Sequence, residues 1–428
     1  MVDQRGASTT DVLVRQGGIK MEYKSGHQVG VMVIGGGAGN ALGVVRGLGR
    51  RGIPVLFLDS DRRHPARYSR SVDRRLVCPD PNESEIQFVD FLRDVAKRSR
   101  DKYMIIPAGD AEVIAISKHK EELQHFYLLP LPSFEVVNKL ANKKEFYKLL
   151  NQMSVQHPRT YFPEDISELE LIGRDIGYPY IVKPAYSHLF GKRFRTKCFL
   201  INSYEELTRA IEKLRDEKLE VVIQKIVPGK DIYAFCAFFN NRSEPIAVCG
   251  YDKIRQYPPD FGSGSLCKSA WRQVPINSAI KVLKGIRYQG IAESEFKKDP
   301  RDGEYKLLEI NARTSLQNRL LSRCGVDVEY VAYLDTIGQF GGGSILPEEG
   351  ILWIDEISNL LSCVVQLKAG RLRVREIVVS LGGKKEYATF AWGDPIPFFV
   401  HLSNLSSALL GLLWGRLRAC TKAMMRQS

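Results

Sequence analysis

The chain has 428 residues, enough for two or three domains with cores of their own, and its 44% hydrophobic content excludes a wholly disordered protein. Lys and Arg outnumber Asp and Glu by 62 to 49, a formal +13 that favours anionic partners without separating nucleotides, nucleic acid and acidic membranes. The eight cysteines, at 78, 198, 236, 249, 267, 324, 363 and 420, show no C-x-x-C spacing, so neither a zinc site nor a disulfide framework is signalled.

Residues 1–28 read as a polar tail without the apolar core of a secretion signal, and no apolar run is long enough for a transmembrane helix. A cytoplasmic protein with reduced thiols is expected. Val29–Ile34 reads as a buried strand, Gly35–Asn40 as a tight turn, Ala41–Arg51 as a helix and Ile53–Leu58 as the next strand, closed by Asp59. A helix over Ser84–Arg100, a strand over Tyr103–Ile106 and a helix over Ala111–Leu123 continue this alternation. It predicts a doubly wound α/β domain over 29–132. The glycine-rich turn with Asp59 downstream is a partial NAD-type fingerprint, or else glycine needed for helix packing. Asp110 sits where a strand gives way to a helix, the edge that ligands favour, although an N-cap explains it equally. The arginines at 62, 63, 67, 70, 74 and 75 read as a solvated face or the rim of an anionic-substrate site, and no nucleic-acid partner is expected.

Beyond Pro132 the chain changes character. Lys143–Tyr147 opens a helix, Gly177–Pro184 reads as a turn and short strand carrying Lys183, a helix spans Ser203–Lys218, and a strand spans Val221–Ile226. Successive strands follow around Ala234–Phe239 and Ile246–Gly250. Glu293–Phe296 and Leu307–Arg313 flank a turn at Asp302-Gly303, and the hairpin they form places Glu295, Glu309 and Asn311 side by side. Two carboxylates and an amide oxygen suit Mg²⁺, which takes its remaining ligands from phosphate and water; a solvated hairpin face is the plain alternative.

Taken in order, Lys143, Lys183 in Ile-Val-Lys-Pro, the segment Gln224–Gly229 with Asp231, and Glu295 with Glu309-Ile-Asn311-Ala-Arg313 resemble the ATP-grasp superfamily, in its carboxylate-amine ligase branch. The resemblance covers roughly residues 29–345. It implies an α/β and α+β multidomain protein with the ATP-grasp fold behind a doubly wound N-terminal domain. The small subdomain would span 133–228, the large one with the metal site 229–345, and a C-terminal subdomain 346–428. It implies ATP as cofactor with Mg²⁺, or Mn²⁺ in its place, and small-molecule carboxylate and amine substrates.

By the same resemblance, Lys143 and Lys183 neutralise phosphates, and Gln224, Lys225 and Val227 form the adenine hinge, with Gln where most members have Glu. Asp231 would contact the ribose, Glu295, Glu309 and Asn311 would hold the metal, and Arg313 would steady the transferred phosphoryl group. Lys253 and Arg255, with Phe261–Ser265, would form a loop closing over an acyl phosphate, and Lys183 and Arg255 join Arg313 as catalytic candidates; a plain surface hairpin is the other reading of that loop. A nucleotide-binding scaffold without turnover and an NAD-dependent oxidoreductase are the rival functions. Leu402–Trp414, followed by Arg416, Arg418, Lys422 and Arg426 without an acid, reads as a basic amphipathic tail that lies on the inner face of an anionic membrane or docks on the protein's own core. The oligomeric state is left open, a homodimer included.

Overall fold

The computed structural model describes residues 29–99, 101–165, 168–186, 194, 196, 198–215, 220–343 and 346–407. The polar segment 1–28 and the tail beyond 407, with Arg416, Arg418, Lys422 and Arg426, lie outside the described residues.

Strands β1 (Gly30–Ile34), β2 (Val55–Asp59), β3 (Arg74–Val77) and β4 (Tyr103–Pro107) form a parallel sheet in the order β3-β2-β1-β4. β1, β2 and β4 are buried at every position, as unbroken apolar runs require when both faces of a sheet are covered. β3 is not legible as a strand because Arg74 and Arg75 break the apolar pattern. They stand exposed on the sheet edge, where charge discourages pairing with other chains. Arg67 and Arg75 donate to the carbonyls of Leu76 and Arg67, so these arginines tie down their own loop. The glycine turn after β1 has φ +87° at Gly36, where a Cβ would come within 2.6 Å of Ala108. Against the same turn lies the carboxyl of Glu112, which a Cβ on Gly35 would meet at 2.1 Å and whose pKa burial raises to about 7. A buried carboxyl occupies the place where the NAD reading needs room for phosphate.

The second sheet is antiparallel, β5 (Thr160–Tyr161), β6 (Tyr180–Pro184), β7 (Phe199–Ile201) and β8 (Val221–Lys225) in the order β5-β8-β6-β7. Helices Glu168–Ile176 and Tyr204–Leu214 close a small core of its own around Leu169, Tyr180, Leu207 and Ile223. The helices Phe134–Ala141 and Lys143–Gln152 do not join it. Their Val137, Leu140, Phe146 and Leu150 pack in the larger core with Phe88 and Phe235.

The third sheet holds seven strands: β9 (Ile232–Phe239), β10 (Pro245–Tyr257), β11 (Ser263–Ser269), β12 (Gly290–Lys298), β13 (Tyr305–Asn311), β14 (Leu352–Ile354) and β15 (Lys385–Tyr387), in the order β13-β12-β9-β10-β11-β14-β15. Residues on β9 alternate between two cores. Tyr233, Phe235, Ala237 and Phe239 face one, while Ala234, Cys236 and Phe238 face the other with helices Ala38–Gly49 and Val328–Thr336. The first and third sheets therefore share continuous cores.

The segment beyond 345 is built into this body. β14 pairs with β11, β15 pairs with β14, and Trp353 is fully buried. Asp394 reaches the first sheet's helix, accepting from Arg46 Nε at 2.9 Å and Ser69 Oγ at 2.6 Å, while Arg46 also donates to the carbonyls of Thr389 and Asp394. Burial opposes both charges; Ser69 and Arg46 nevertheless hold the Asp394 carboxyl below its ordinary range. Among the described residues, no helix is long and apolar enough to cross a membrane.

Candidate active site

In the β12–β13 pair Glu295 stands opposite Glu309 and Glu293 opposite Asn311. Side chains alternate along a strand, so all four project from one face. They line a cavity of about 270 Å³ between the second and third sheets. Across β9 on the same face, Lys253 of β10 forms an ion pair with Glu295, and Tyr251 donates to Glu293. Burial works to lower the Lys253 ammonium's pKa, but Glu295 and Glu293 outweigh it and hold it above the ordinary value. Burial raises the Glu295 carboxyl, with Lys253 opposing and Glu309 adding to the shift.

Glu293 was not singled out from the sequence. Its place two residues before Glu295, on the same side of the strand, was the available signal. Tyr251, Ser315 and Asn311 all donate to it, which fixes its carboxylate in the cavity wall.

The opposite wall comes from the second sheet. Ile181, Lys183 and Gln224 line the cavity from β6 and β8. Lys183 Nζ donates to Gln224 Oε1 at 3.0 Å, and Gln224 Nε2 donates to Thr160 Oγ1 at 2.9 Å. The Gln224 amide thus holds the lysine. Burial, reinforced by neighbouring Lys143, brings the Lys183 pKa down to about 8, with Glu309 pulling the other way. Lys143 opens its helix behind Asn142, whose Oδ1 accepts from the N–H groups of Lys144 and Glu145. Its ammonium lies 3.9 Å from Glu309 Oε2.

Lys225 and Val227 also line the cavity, but the Lys225 ammonium turns away and donates to the carbonyls of Ile176 and Gly177, closing a helix C-terminus. Arg313 follows β13 into the cavity, with Nε 2.6 Å from Asp110 Oδ1. Burial opposes its charge; Asp110 and Glu293 overcome that and raise its pKa. A smaller cavity of about 50 Å³ adjoins, lined by Asp110 and Tyr186 and sharing Lys143, Glu309 and Asn311 with the first.

Two expected site residues are placed elsewhere. Arg255 does not line the cavity, because the β10–β11 register shifts between Lys253 and Arg255. That bulge hands the cavity face to Gln256, and the Arg255 guanidinium bonds to Asn359, Cys363 and Ser380 instead. Asp231 is exposed before β9 and offers its backbone carbonyl to Lys298 N, outside the cavity lining.

Among the described residues there is no group of three or more His, Cys, Asp or Glu side chains fit to hold a metal by themselves. Glu295, Glu309 and Asn311 on one cavity face fit a hard cation that shares its shell with phosphate oxygens and water.

No protein-family model matches the chain. It is 26% identical over 286 residues to the D-aspartate ligase of Enterococcus faecium, a match covering 63% of this chain and 67% of that protein. Carbamoyl phosphate synthase large chains also match. For that of Methanoculleus marisnigri the identity is 23% and the match covers 74% of this chain but 29% of the relative.

Among solved structures, the L-amino acid ligase of Bacillus licheniformis has a TM-score of 0.58 at 16% identity, covering 76% of this chain and 78% of that one. The biotin carboxylase domain of the Hydrogenobacter thermophilus 2-oxoglutarate carboxylase, solved with MgADP and bicarbonate, has a TM-score of 0.59 at 16% identity, covering 76% and 72%. Structural similarity at such identity speaks for the fold, and the sequence matches speak for the branch. In fold the chain is similar to ATP-grasp ligases, and in sequence it is similar to carboxylate-amine ligases such as D-aspartate ligase.

Proposed function

We propose that the protein is an ATP-dependent ligase that activates a carboxylate as an acyl phosphate and joins it to an amine, releasing ADP and phosphate. The observation that carries this reading is the convergence, on one cavity, of Lys143 and Lys183 with Glu295, Glu309, Asn311 and Arg313. A carboxylate oxygen attacks the γ-phosphorus while the β–γ bridging bond breaks toward ADP. The amine nitrogen then attacks the acyl carbon, phosphate departs with the bonding electron pair, and the nitrogen gives up one proton to phosphate or water.

No protein nucleophile is needed. The work of the chain is positioning and charge stabilisation. Lys143 and Lys183 would meet the nucleotide's phosphates, and Ile181 and Val227 would flank its base. Arg313, whose fork can hold two oxygens, would steady the transferred group. Glu295, Glu309 and Asn311 would hold Mg²⁺ or Mn²⁺, which when bound supplies positive charge against the β- and γ-phosphates. The adjoining cavity between Asp110, Tyr186 and Glu309 offers the carboxylate and amine a way in beside the phosphate end.

The test follows phosphate release by purified protein with Mg-ATP and pools of carboxylic acids and amines. Release that depends on both substrates supports the ligase. A second reading, a nucleotide-responsive scaffold, draws on the Lys253–Glu295 ion pair, which a bound cation would have to loosen. Nucleotide binding with no release in any pool would favour it. As to location, we propose a cytoplasmic protein whose basic tail from Leu402 onward lies on an anionic membrane surface or docks on the protein's own core, a reading supported by sequence alone.

A further inference from the structure

Helix Glu356–Lys368 is built inside out. Its buried positions are Asn359, Ser362 and Cys363, while Leu360, Leu361, Val364, Val365 and Leu367 are exposed, Leu360 to 63%. The inward polar face has partners: Asn359 and Cys363 accept from Arg255, and Ser362 Oγ donates to the Gln256 carbonyl at 2.7 Å. Among the described residues the outward face has none. The next helix, Val374–Ser380, has no buried residue and exposes Val374, Val378 and Val379 to 66%, 67% and 71%. Both helices are pinned to the same Arg255, whose guanidinium also donates to Ser380, which holds them on one side of the third sheet. Exposed apolar side chains gathered on two such helices mark an interaction site.

Charge selects the occupant. Between residues 360 and 385 the sequence has six basic residues, Lys368, Arg371, Arg373, Arg375, Lys384 and Lys385, against one acid, Glu376. All six are exposed, and among the described residues Lys368, Arg373, Arg375 and Lys385 are in no ion pair. A second copy meeting this face through a two-fold axis would set the basic rim against itself. The chain's own segment 408–428 carries Arg416, Arg418, Lys422 and Arg426 without an acid and is repelled in the same way. A surface that is both apolar at depth and negative at its boundary matches both features.

We propose that helices Glu356–Lys368 and Val374–Ser380 form a docking face for an anionic lipid bilayer, with valine and leucine stripes entering the headgroup boundary and the basic rim meeting lipid phosphates. The face adjoins the cavity. Arg371 pairs with Asp260 at 3.0 Å, and Asp260, Phe261 and Gly262 line the cavity from the β10–β11 turn. Docking sets that turn against the membrane. Under the ligase reading, on which this last step alone rests, the cavity opens toward a substrate carried on a lipid.

The experiment is vesicle flotation of the full chain without nucleotide, so that its outcome is independent of ligase activity. Vesicles of phosphatidylcholine with phosphatidylglycerol are compared with phosphatidylcholine alone. The expected result is flotation with the anionic vesicles only, weakened by high salt, and about tenfold weaker partitioning for Val378→Asp/Val379→Asp and for Arg373→Glu/Arg375→Glu, with deletion of 408–428 retaining most binding. Both double variants change exposed side chains, and an unaltered circular dichroism spectrum confirms their fold. The proposal is overturned if the wild type fails to float, or if only the 408–428 deletion abolishes flotation. It is equally overturned if Val378→Asp/Val379→Asp turns a dimer into a monomer in sedimentation velocity, which would make this face a contact between copies.

Discussion

Arg313 Nε donates to Asp110 Oδ1 at 2.6 Å, joining the end of β13 to the start of the helix after β4 across 203 residues of sequence. Asp110 is half-exposed, and its carboxylate offsets the cost of burying Arg313 through both charge and this hydrogen bond. Asp110→Asn keeps the shape and removes the charge. A fall in kcat of about tenfold with KM for ATP nearly unchanged is expected, since Arg313 would act on the transferred group more than on the bound nucleotide. A rise in KM alone would place Arg313 in ground-state binding.

Lys183 gives a pH signature. Its pKa falls from 10.5 to about 8 on folding, through burial first and Lys143 second. Between those values the unfolded chain holds a proton that the folded chain does not, so the ligand-free protein gains stability as pH rises through this window. Nucleotide affinity runs the other way, because the ammonium that meets phosphate is lost as pH rises through about 8. Calorimetric titration with ADP should show affinity beginning to weaken as pH rises past about 8 in the wild type. Lys183→Ala should bind more weakly throughout and lack the step.

Glu309 stands opposite Glu295 and 3.9 Å from Lys143, so Glu309→Gln alters both the cation site and the lysine's surroundings. Turnover is expected to fall by about a hundredfold or more, with a shift of the Mg²⁺ dependence to higher concentration. Measuring phosphate release across a magnesium titration checks both. An unchanged magnesium midpoint would move the metal site off this carboxylate.

Arg255 separates a structural cation from a catalytic one. Arg255→Met removes the donors to Asn359, Cys363 and Ser380 but nothing from the cavity lining. A loss of about 1–3 kcal/mol in denaturant unfolding is expected, with kcat within about twofold of wild type. A hundredfold loss of kcat in a stably folded variant would return Arg255 to the active site.

The buried pair of Arg46 and Asp394, with side chains 1% and 3% exposed, makes the strongest stability prediction. Asp394→Ala leaves the guanidinium buried and uncompensated, at a cost of about 3–5 kcal/mol. Chemical denaturation monitors it, and the double variant Arg46→Met/Asp394→Leu should recover much of the loss.

The shared cavity face of Glu295, Glu309 and Asn311 was legible because these residues obey the two-residue period of a strand, and a turn at Asp302-Gly303 sets their register. The parallel sheet was legible for a related reason: β1, β2 and β4 are apolar throughout, and nothing but a doubly covered sheet buries such runs. Arg255 was misplaced because one extra residue in β10 reverses which side chains face the cavity, and no local residue type announces that bulge. β14 and β15, three residues each, are too short for periodicity to declare them; they exist because β11 offers an edge. Helix Glu356–Lys368 misleads in a further way, since its apolar stripe points to solvent.

The late arrival of β14, β15 and Asp394 has a consequence during synthesis. The growing chain completes β11 by residue 269, yet the strand that covers its edge appears only at 352–354 and the partner of Arg46 only at 394. Until those segments leave the ribosome, an unpaired strand edge waits from residue 269 to residue 352, and a buried-to-be arginine from 46 to 394. Folding of the first and third sheets can begin vectorially but closes only after nearly the whole chain has emerged, which makes the interval between β11 and β14 the window in which a holdase chaperone has most to protect.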